Sequence, residues 1–536
     1  MNTRASFLFM LADDIGWADF GYNGGIAHTP NIDGWGMAEG SVRLMDMHSG
    51  GTVCAPTRAS VLTGRNHFRD CVNSVYDCSD PTEGMPIFEF APQRTYTIAD
   101  AFRRGHPHSG RSFFAGKWHL GSFYNDSEAY GGFTSSPTTH GFDSFNATLE
   151  VAPTATLNHQ CTLEWNASVD YGHYHRPNHC QGGPNPGGGG LRHGCCFNYW
   201  WPNMSAAQHG VSNLTWQTPF DDAVYLVDSF ERFVSGQAAA GSSPFLAHLS
   251  FHNCHIPFIG SAVKRAACTG GSICHPPASG EPPYSDEELD YYSCLSMLDD
   301  AVGAVLTTLE RHGYAQDTLT WLTTDNGPEV NCPPAGVCKG RAARPHEAPG
   351  TAGPLRGRKR DIWEGGHRVP GIVSYPRLMG STNYASWQTV TTMDLLPTIM
   401  EVLGDTHWPT GQAHWARDGM SILPILRGDA QASLPARGIG WAMDNIEATP
   451  HSGYGFRYGK WKLVVGSISC AVDECLRPML YDLDADLGER HDLSQQAPMV
   501  LKAMLHNYSL WQQSVRHSRT HESRCQTDGG FTHCGR

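Results

Sequence analysis

The sequence predicts an α/β fold: a large, mostly parallel central sheet flanked by helices, then a smaller C-terminal α+β domain with a short antiparallel sheet. Three observations carry this. Strand-like apolar runs alternate with helix-like runs along most of the chain, the order expected when helices cover a parallel sheet. The helix-like runs open on capping residues and keep a helical period. Near the C-terminus short strands crowd around turns instead.

In chain order, Phe7–Leu11 reads as a buried strand, Thr97–Arg104 as a helix and Ser112–Ala115 as a strand. Thr218 followed by Pro219 supplies an N-cap with proline at the first helical position, and the helix runs through Val224, Val227, Phe230 and Val234. Pro244–Phe251 reads as a strand. Ser285-x-x-Glu288 is a capping box that opens a long helix through Leu295, Leu298, Val302, Val305 and Leu309. Thr320–Thr323 is the next strand. The segments FRYGKWKLVV (456–465) and MLYDLD (479–484) read as antiparallel strands, with a helix after Pro498. The expected organisation is an α/β domain over residues 1–430, an α+β domain over 431–520 and a cysteine-containing tail over 521–536.

A chain of 536 residues is ample for a large core. Its net charge of −14 argues against a nucleic-acid partner held by a basic surface. No uninterrupted apolar stretch reaches transmembrane length, so no membrane span is expected. The 17 cysteines are an odd number, which leaves one over from any full set of disulfides. Local candidates for pairing are Cys268/Cys274, Cys332/Cys338, Cys470/Cys475 and Cys525/Cys534. Asn-x-Ser/Thr sequons stand at Asn125, Asn146, Asn166, Asn203, Asn213 and Asn507. Together the cysteines and sequons point to an oxidising, glycosylating secretory route, lysosomal or extracellular. The N-terminus conflicts with that. Phe7–Leu11 is too short for a secretory apolar core and lacks a small-residue cleavage site, so a missing signal peptide and the absence of export are both left open. The glycine-rich stretch GGPNPGGGGLRHG (182–194) lacks the ending of a phosphate-binding loop and reads as a surface loop, as do the histidines at 173, 175, 179 and 193.

Polar residues follow the strands where ligand sites of such sheets lie. Asp13 and Asp14 end the first strand; Asp325, Asn326 and Gly327 end another. Neighbours on a strand point to opposite faces, so the two aspartates converge only where the chain turns, which Gly16 would permit. Three carboxylates and an amide oxygen form an all-oxygen set suited to Ca²⁺, with Mg²⁺ possible, rather than zinc. Taken alone, each pair reads better as a structural cap or turn.

Residues 52–65, TVCAPTRASVLTGR, place Cys54 two residues before Pro56 and four before Arg58. This stretch resembles the signature of the formylglycine-dependent (type I) sulfatases, of the alkaline phosphatase superfamily. The resemblance extends in order through LADDIGW (11–17), GKWHLG (116–121), CHIP (254–257), TTDNG (323–327), LRGRKRDIWEGGHRVPGI (355–372) and YDLDADLGERHDLS (481–494). It implies that Cys54 is oxidised to Cα-formylglycine by the formylglycine-generating enzyme during maturation. The aldehyde hydrate offers two hydroxyls on one carbon, one to attack the sulfur of a sulfate ester and one to expel sulfate afterwards. It implies a divalent cation on Asp13, Asp14, Asp325, Asn326 and the modified Cys54. It also implies charge stabilisation by Arg58, Lys117 and Lys359, proton removal by His119, and contact with sulfate or protonation of the leaving alcohol by His255. Pro56 at the first helical position would aim a helix N-terminus at the anion. The charges agree: three carboxylates, a divalent cation and a sulfate monoester sum to −2, against +3 from the three basic residues. Arg360 stands where the family often has a smaller residue. The function implied is an arylsulfatase-like sulfuric ester hydrolase acting on a small-molecule or carbohydrate sulfate ester. The alternatives are a phosphonate or phosphate monoester hydrolase of the same superfamily and an inactive sulfatase-like binding protein.

Overall fold

The computed structural model describes residues 5–73, 95–120, 136–148, 201–202, 223–241, 243–256, 258, 260–331, 346–405, 407–409, 412, 415–428, 433–442, 453–466 and 477–522. The first strand, Ser6–Ala12, is buried along its whole length. Its side chains divide by parity, as a strand requires. Phe7, Phe9 and Leu11 enter one core and Leu8, Met10 and Ala12 enter the other. The continuous apolar run is thus the signature of a strand covered on both faces, and burying each large side chain contributes about 1.5–3 kcal/mol.

This strand lies in a nine-stranded sheet. From edge to edge the order is Asn383–Ser386, Ser41–Leu44, Gly371–Ser374, Thr318–Thr324, Ser6–Ala12, Phe245–Ser250, Arg111–Lys117, Ser144–Thr148 and Trp201–Pro202. Ser6–Ala12 pairs in parallel with both neighbours, Leu8 opposite Ala247 and Thr320. Gly371–Ser374 runs antiparallel to the strands on either side, and Trp201–Pro202 runs antiparallel to Ser144–Thr148. The sheet is therefore mixed but mostly parallel.

Helices cover both faces. The core containing Phe7 includes residues of the helices Cys54–Thr63, Ile98–Gly105 and Leu395–Val402. The opposite core includes residues of Pro30–Gly36, Ala223–Ala239 and Asp286–Arg311. The capping box at Ser285 forms: Ser285 Oγ accepts from the Glu288 N–H, and Glu288 Oε2 accepts from the Ser285 N–H at 2.7 Å. The start at Thr218–Pro219 lies outside the described residues; the helix itself is present from Ala223.

Near the C-terminus, Gly438–Ala442, Tyr454–Tyr458, Trp461–Val465 and Met479–Asp482 form a four-stranded antiparallel sheet in sequence order. The helix Pro498–His517 starts on Pro498 and buries Met504, Tyr508, Trp511 and Val515, which share a face by spacing. They pack with Phe456, Leu463 and Leu480.

Among the described residues, Cys268 pairs with Cys274 as expected. Cys254 pairs with Cys294, a closure 40 residues apart that sequence spacing does not reveal. Cys54 is the free cysteine of this set. The other three candidate pairs lie outside the described residues. Of the sequons, Asn146 is 9% exposed and donates Nδ2 to Tyr225 Oη at 2.8 Å and to Ser229 Oγ at 3.0 Å. Its amide is a buried structural donor, so this site is corrected from glycan acceptor to core residue. Asn507 lies on the C-terminal helix and is half-buried; the other four sequons lie outside the described residues.

Candidate active site

Four neighbouring strands deliver their C-terminal ends to one place, where ligand sites of such sheets form. Asp13 and Asp14 follow Ser6–Ala12; Asp325 and Asn326 follow Thr318–Thr324. Lys117 ends Arg111–Lys117, and Ser250 ends Phe245–Ser250. All six are buried. Asp14 has φ +58°, a left-handed conformation that aspartate tolerates better than most residues, and this bend brings Asp13 and Asp14 together. The turn therefore sits on Asp14, a correction to the expectation of Gly16. Gly16 serves close approach instead, since a Cβ there would lie 2.3 Å from the Thr351 carbonyl oxygen. Gly116 has both demands: φ is +101° and a Cβ would lie 1.9 Å from the Ser250 carbonyl oxygen.

Cys54 opens the helix Cys54–Thr63, whose N-cap is Val53. Cys54 is thus the first helical residue and Pro56 the third, a correction to the expected N1 proline. The cost is the same, because the first N–H groups of a helix have no partner within it. The first donor on the helical ladder is Thr57, to the Val53 carbonyl at 3.3 Å.

Charged groups interlock around the thiol. Cys54 Sγ lies 3.6 Å from Asp13 Oδ1. Arg58 donates Nη2 to Asp13 at 3.2 Å and to Asp325 at 2.6 Å, and Nη1 to the Lys117 carbonyl at 2.8 Å and to Ser250 Oγ. Lys117 Nζ lies 2.5 Å from Asp13 Oδ2. Lys359 Nζ lies 2.6 Å from Asp14 Oδ2 and 2.7 Å from Glu329 Oε2. His255 donates Nδ1–H to the Ile256 carbonyl at 2.7 Å, which turns Nε2 towards Asp14 Oδ2 at 3.7 Å. His119, buried and with φ +53°, lies within the field of Lys117, Arg58, Asp13 and His255.

These surroundings set the protonation states. For Asp13 burial opposes ionisation, but Lys117, His255 and Arg58 outweigh it and hold the carboxyl well below its usual range. Burial pushes Asp14 up to about 8, opposed by Lys359 and reinforced by Glu329, Asp13 and Asp325. Burial and the charge of Asp13 also raise Asp325. Burial and Asp325 drive the Cys54 thiol well above its ordinary value, so it rests as a neutral thiol. Burial, with Lys117 and Arg58, holds His119 well below the usual histidine range. Burial, with Lys359 and Lys117, does the same to His255.

The donor set fits a hard divalent cation. Ligating atoms of Asp13, Asp14, Cys54 and His255 lie within 4.8 Å of one another, a group that takes in His255 and not the expected Asp325, whose Oδ1 accepts from the Asp14 N–H at 3.3 Å. Asn326 donates Nδ2 to Asp14 Oδ1 at 2.7 Å, while its own Oδ1 is buried and bonds none of the described residues. Three mutually repelling carboxylates and an orphaned amide oxygen are what an oxygen-seeking cation would satisfy.

Sequence reasoning missed Glu329, which joins Lys359 to Arg360, and Ser250, which accepts from Arg58. Glu329 follows the Asp-Asn-Gly segment by two residues, but nothing in an isolated glutamate marks it as buried.

The family model described as Sulfatase matches residues 6–405. The chain belongs to the sulfatase family. It is a type I sulfatase of the alkaline phosphatase superfamily, an enzyme that hydrolyses sulfate esters. It is 26% identical to human Arylsulfatase G (Homo sapiens) over 442 residues, covering 80% of this chain and 70% of that protein. It is 25% identical to human Arylsulfatase A over 526 residues, covering 93% and 86%. Its fold is similar to the crystal structure of Ps i-CgsB in complex with k-i-k-neocarrahexaose, with a TM-score of 0.68, 20% identity and coverage of 95% and 93%.

Proposed function

We propose that this sulfatase hydrolyses its ester through a nucleophile made from Cys54. The observation that carries the reading is the position of Cys54: first residue of a buried helix, 3.6 Å from Asp13, ringed by Arg58, Lys117 and Lys359. A cysteine nucleophile reacts as thiolate, and this thiol is held neutral. Oxidised to formylglycine, residue 54 would supply two hydroxyls on one carbon in place of sulfur.

Asp13, Asp14, Asp325 and Asn326, with residue 54, would hold Ca²⁺ (or Mg²⁺), which when bound polarises the sulfate and favours an ionised nucleophile. Arg58, Lys117 and Lys359 bind the sulfate oxygens and stabilise the charge that develops on them, and the helix N-terminus at residue 54 adds to this field. His119, kept neutral, is in the state that accepts a proton. His255 presents Nε2, and the negative charge of an arriving sulfate favours its protonation, so it can pass that proton to the departing alcohol oxygen. A secretory location agrees with the disulfides Cys254–Cys294 and Cys268–Cys274.

Two measurements on enzyme secreted from a eukaryotic host test this. Peptide mass spectrometry should show residue 54 with sulfur and two hydrogens lost and one oxygen gained. The same preparation should turn over nitrophenyl sulfate far faster than nitrophenyl phosphate. Preference for the phosphate selects the monoester-phosphatase alternative, and turnover of neither selects the binding protein.

A further inference from the structure

Arg360 is the site's outlying cation. It follows Lys359, has φ +73°, and its N–H bonds the carbonyl of Thr52 at 2.9 Å, two residues before Cys54. A left-handed backbone favours glycine, yet an arginine occupies it. Its guanidinium pairs through Nη1 with Glu329, whose other oxygen holds Lys359. The side chains of Arg58, Lys117 and Lys359 are 3%, 0% and 1% exposed, whereas that of Arg360 is 32% exposed. Glu329 faces the two terminal nitrogens, at Nη1 and, at 3.5 Å, Nη2. Arginine has five N–H donors, and among the described residues the partners of this guanidinium lie on Nη1 and Nη2 and not on Nε.

Formal charge points the same way. Counted as the carboxylates a bound cation would keep them, Asp13, Asp14, Asp325 and Glu329 balance Arg58, Lys117, Lys359 and Arg360. A divalent cation and one sulfate monoester then leave a surplus of +1. Arg360 is the member of this set that reaches solvent.

We propose that Arg360 is a specificity-determining residue that binds a second anionic group, carboxylate or sulfate, carried by the substrate beside the scissile sulfate. This rests on the sulfate-ester reading of the site. Glu329 holds the guanidinium between the buried cations and solvent, and a planar carboxylate or sulfate edge suits its fork.

The test uses three nitrophenyl sulfates that bear, ortho to the scissile sulfate, a carboxylate, a second sulfate or a neutral methyl ester. Arg360→Gly removes the guanidinium and suits the positive φ; Arg360→Gln is the second variant. The matured wild type should prefer at least one anionic substrate over the ester. In either variant the anion-to-ester ratio of kcat/KM should fall about tenfold, mainly through KM. The anion with the larger fall identifies the natural group. Ratios unchanged in both folded variants, or equal losses on all three substrates, overturn the proposal. Wild-type turnover of none of the three overturns the catalytic reading and this proposal with it, so the two failures are distinguishable.

Discussion

Asn326 donates its amide N–H to Asp14 Oδ1 at 2.7 Å, and its own buried Oδ1 bonds none of the described residues. A buried acceptor left unsatisfied costs about 1–3 kcal/mol, beside carboxylates that repel one another. A bound cation would relieve both.

Removing Asp325 should therefore cost structure as well as catalysis. Asp325→Ala strips Arg58 of its 2.6 Å partner, and breaking a buried pair destabilises by about 3–5 kcal/mol. The variant should lose turnover and melt lower than wild type. The wild type should itself melt lower in EDTA and recover on adding Ca²⁺, by about 2.7 kcal/mol at a hundredfold excess over Kd. If chelation and the substitution both leave activity and melting intact, the cation assignment is wrong.

The two lysines come from different segments yet each grips a carboxylate of the same pair. Lys117→Ala and Lys359→Ala should each lower kcat by about a hundredfold or more, as loss of a preorganised charge-stabilising group does. Steady-state kinetics on an aryl sulfate decide it. Near-normal kcat in both variants would mean that these cations only hold the fold together.

His248 sits between Phe9 and Phe114, with ring centroids at 5.2 Å and 4.8 Å, and neither ring nitrogen bonds a described residue. Burial, then Arg58, lowers it from 6.5 to about 3. The unfolded chain takes up this proton below pH 6.5 and the folded chain does not, so this residue erodes stability as pH falls from 6.5 towards 3. Raised carboxyls such as Asp19, pushed up to about 6 by burial, act in the opposite direction, so a difference isolates the histidine. The stability of His248→Phe minus that of wild type should be constant above pH 6.5 and grow below it by up to about 1.4 kcal/mol per pH unit. Denaturant melts from pH 8 to 5 measure it; a difference independent of pH contradicts the assignment.

Much of this molecule is written locally. The strand Ser6–Ala12, the cap at Ser285 and the helix from Pro498 follow from apolar runs, capping chemistry and proline position. The four-residue strands Ser41–Leu44, Gly371–Ser374 and Asn383–Ser386 do not, because their direction and pairing are set by neighbours distant in the chain. The site shows the same division. Asp13, Asp14, Cys54 and Asp325 stand in motifs beside strands or a helix start. The burial of Glu329, the bend at Asp14 and the Cys254–Cys294 bond depend on packing that no single segment encodes.

If residue 54 acts as a formylglycine hydrate, its second hydroxyl is what releases sulfate. Cys54→Ser supplies one hydroxyl at the helix N-terminus, within reach of Arg58 and the carboxylates, and gives an attacked product with no neighbouring hydroxyl to expel sulfate. Incubated with a reactive aryl sulfate, this variant should release about one phenol per site and stop. Mass spectrometry should then find a sulfate-sized gain on the peptide holding residue 54, and Cys54→Ala should show neither burst nor adduct. Sustained multiple turnover by Cys54→Ser would contradict the account.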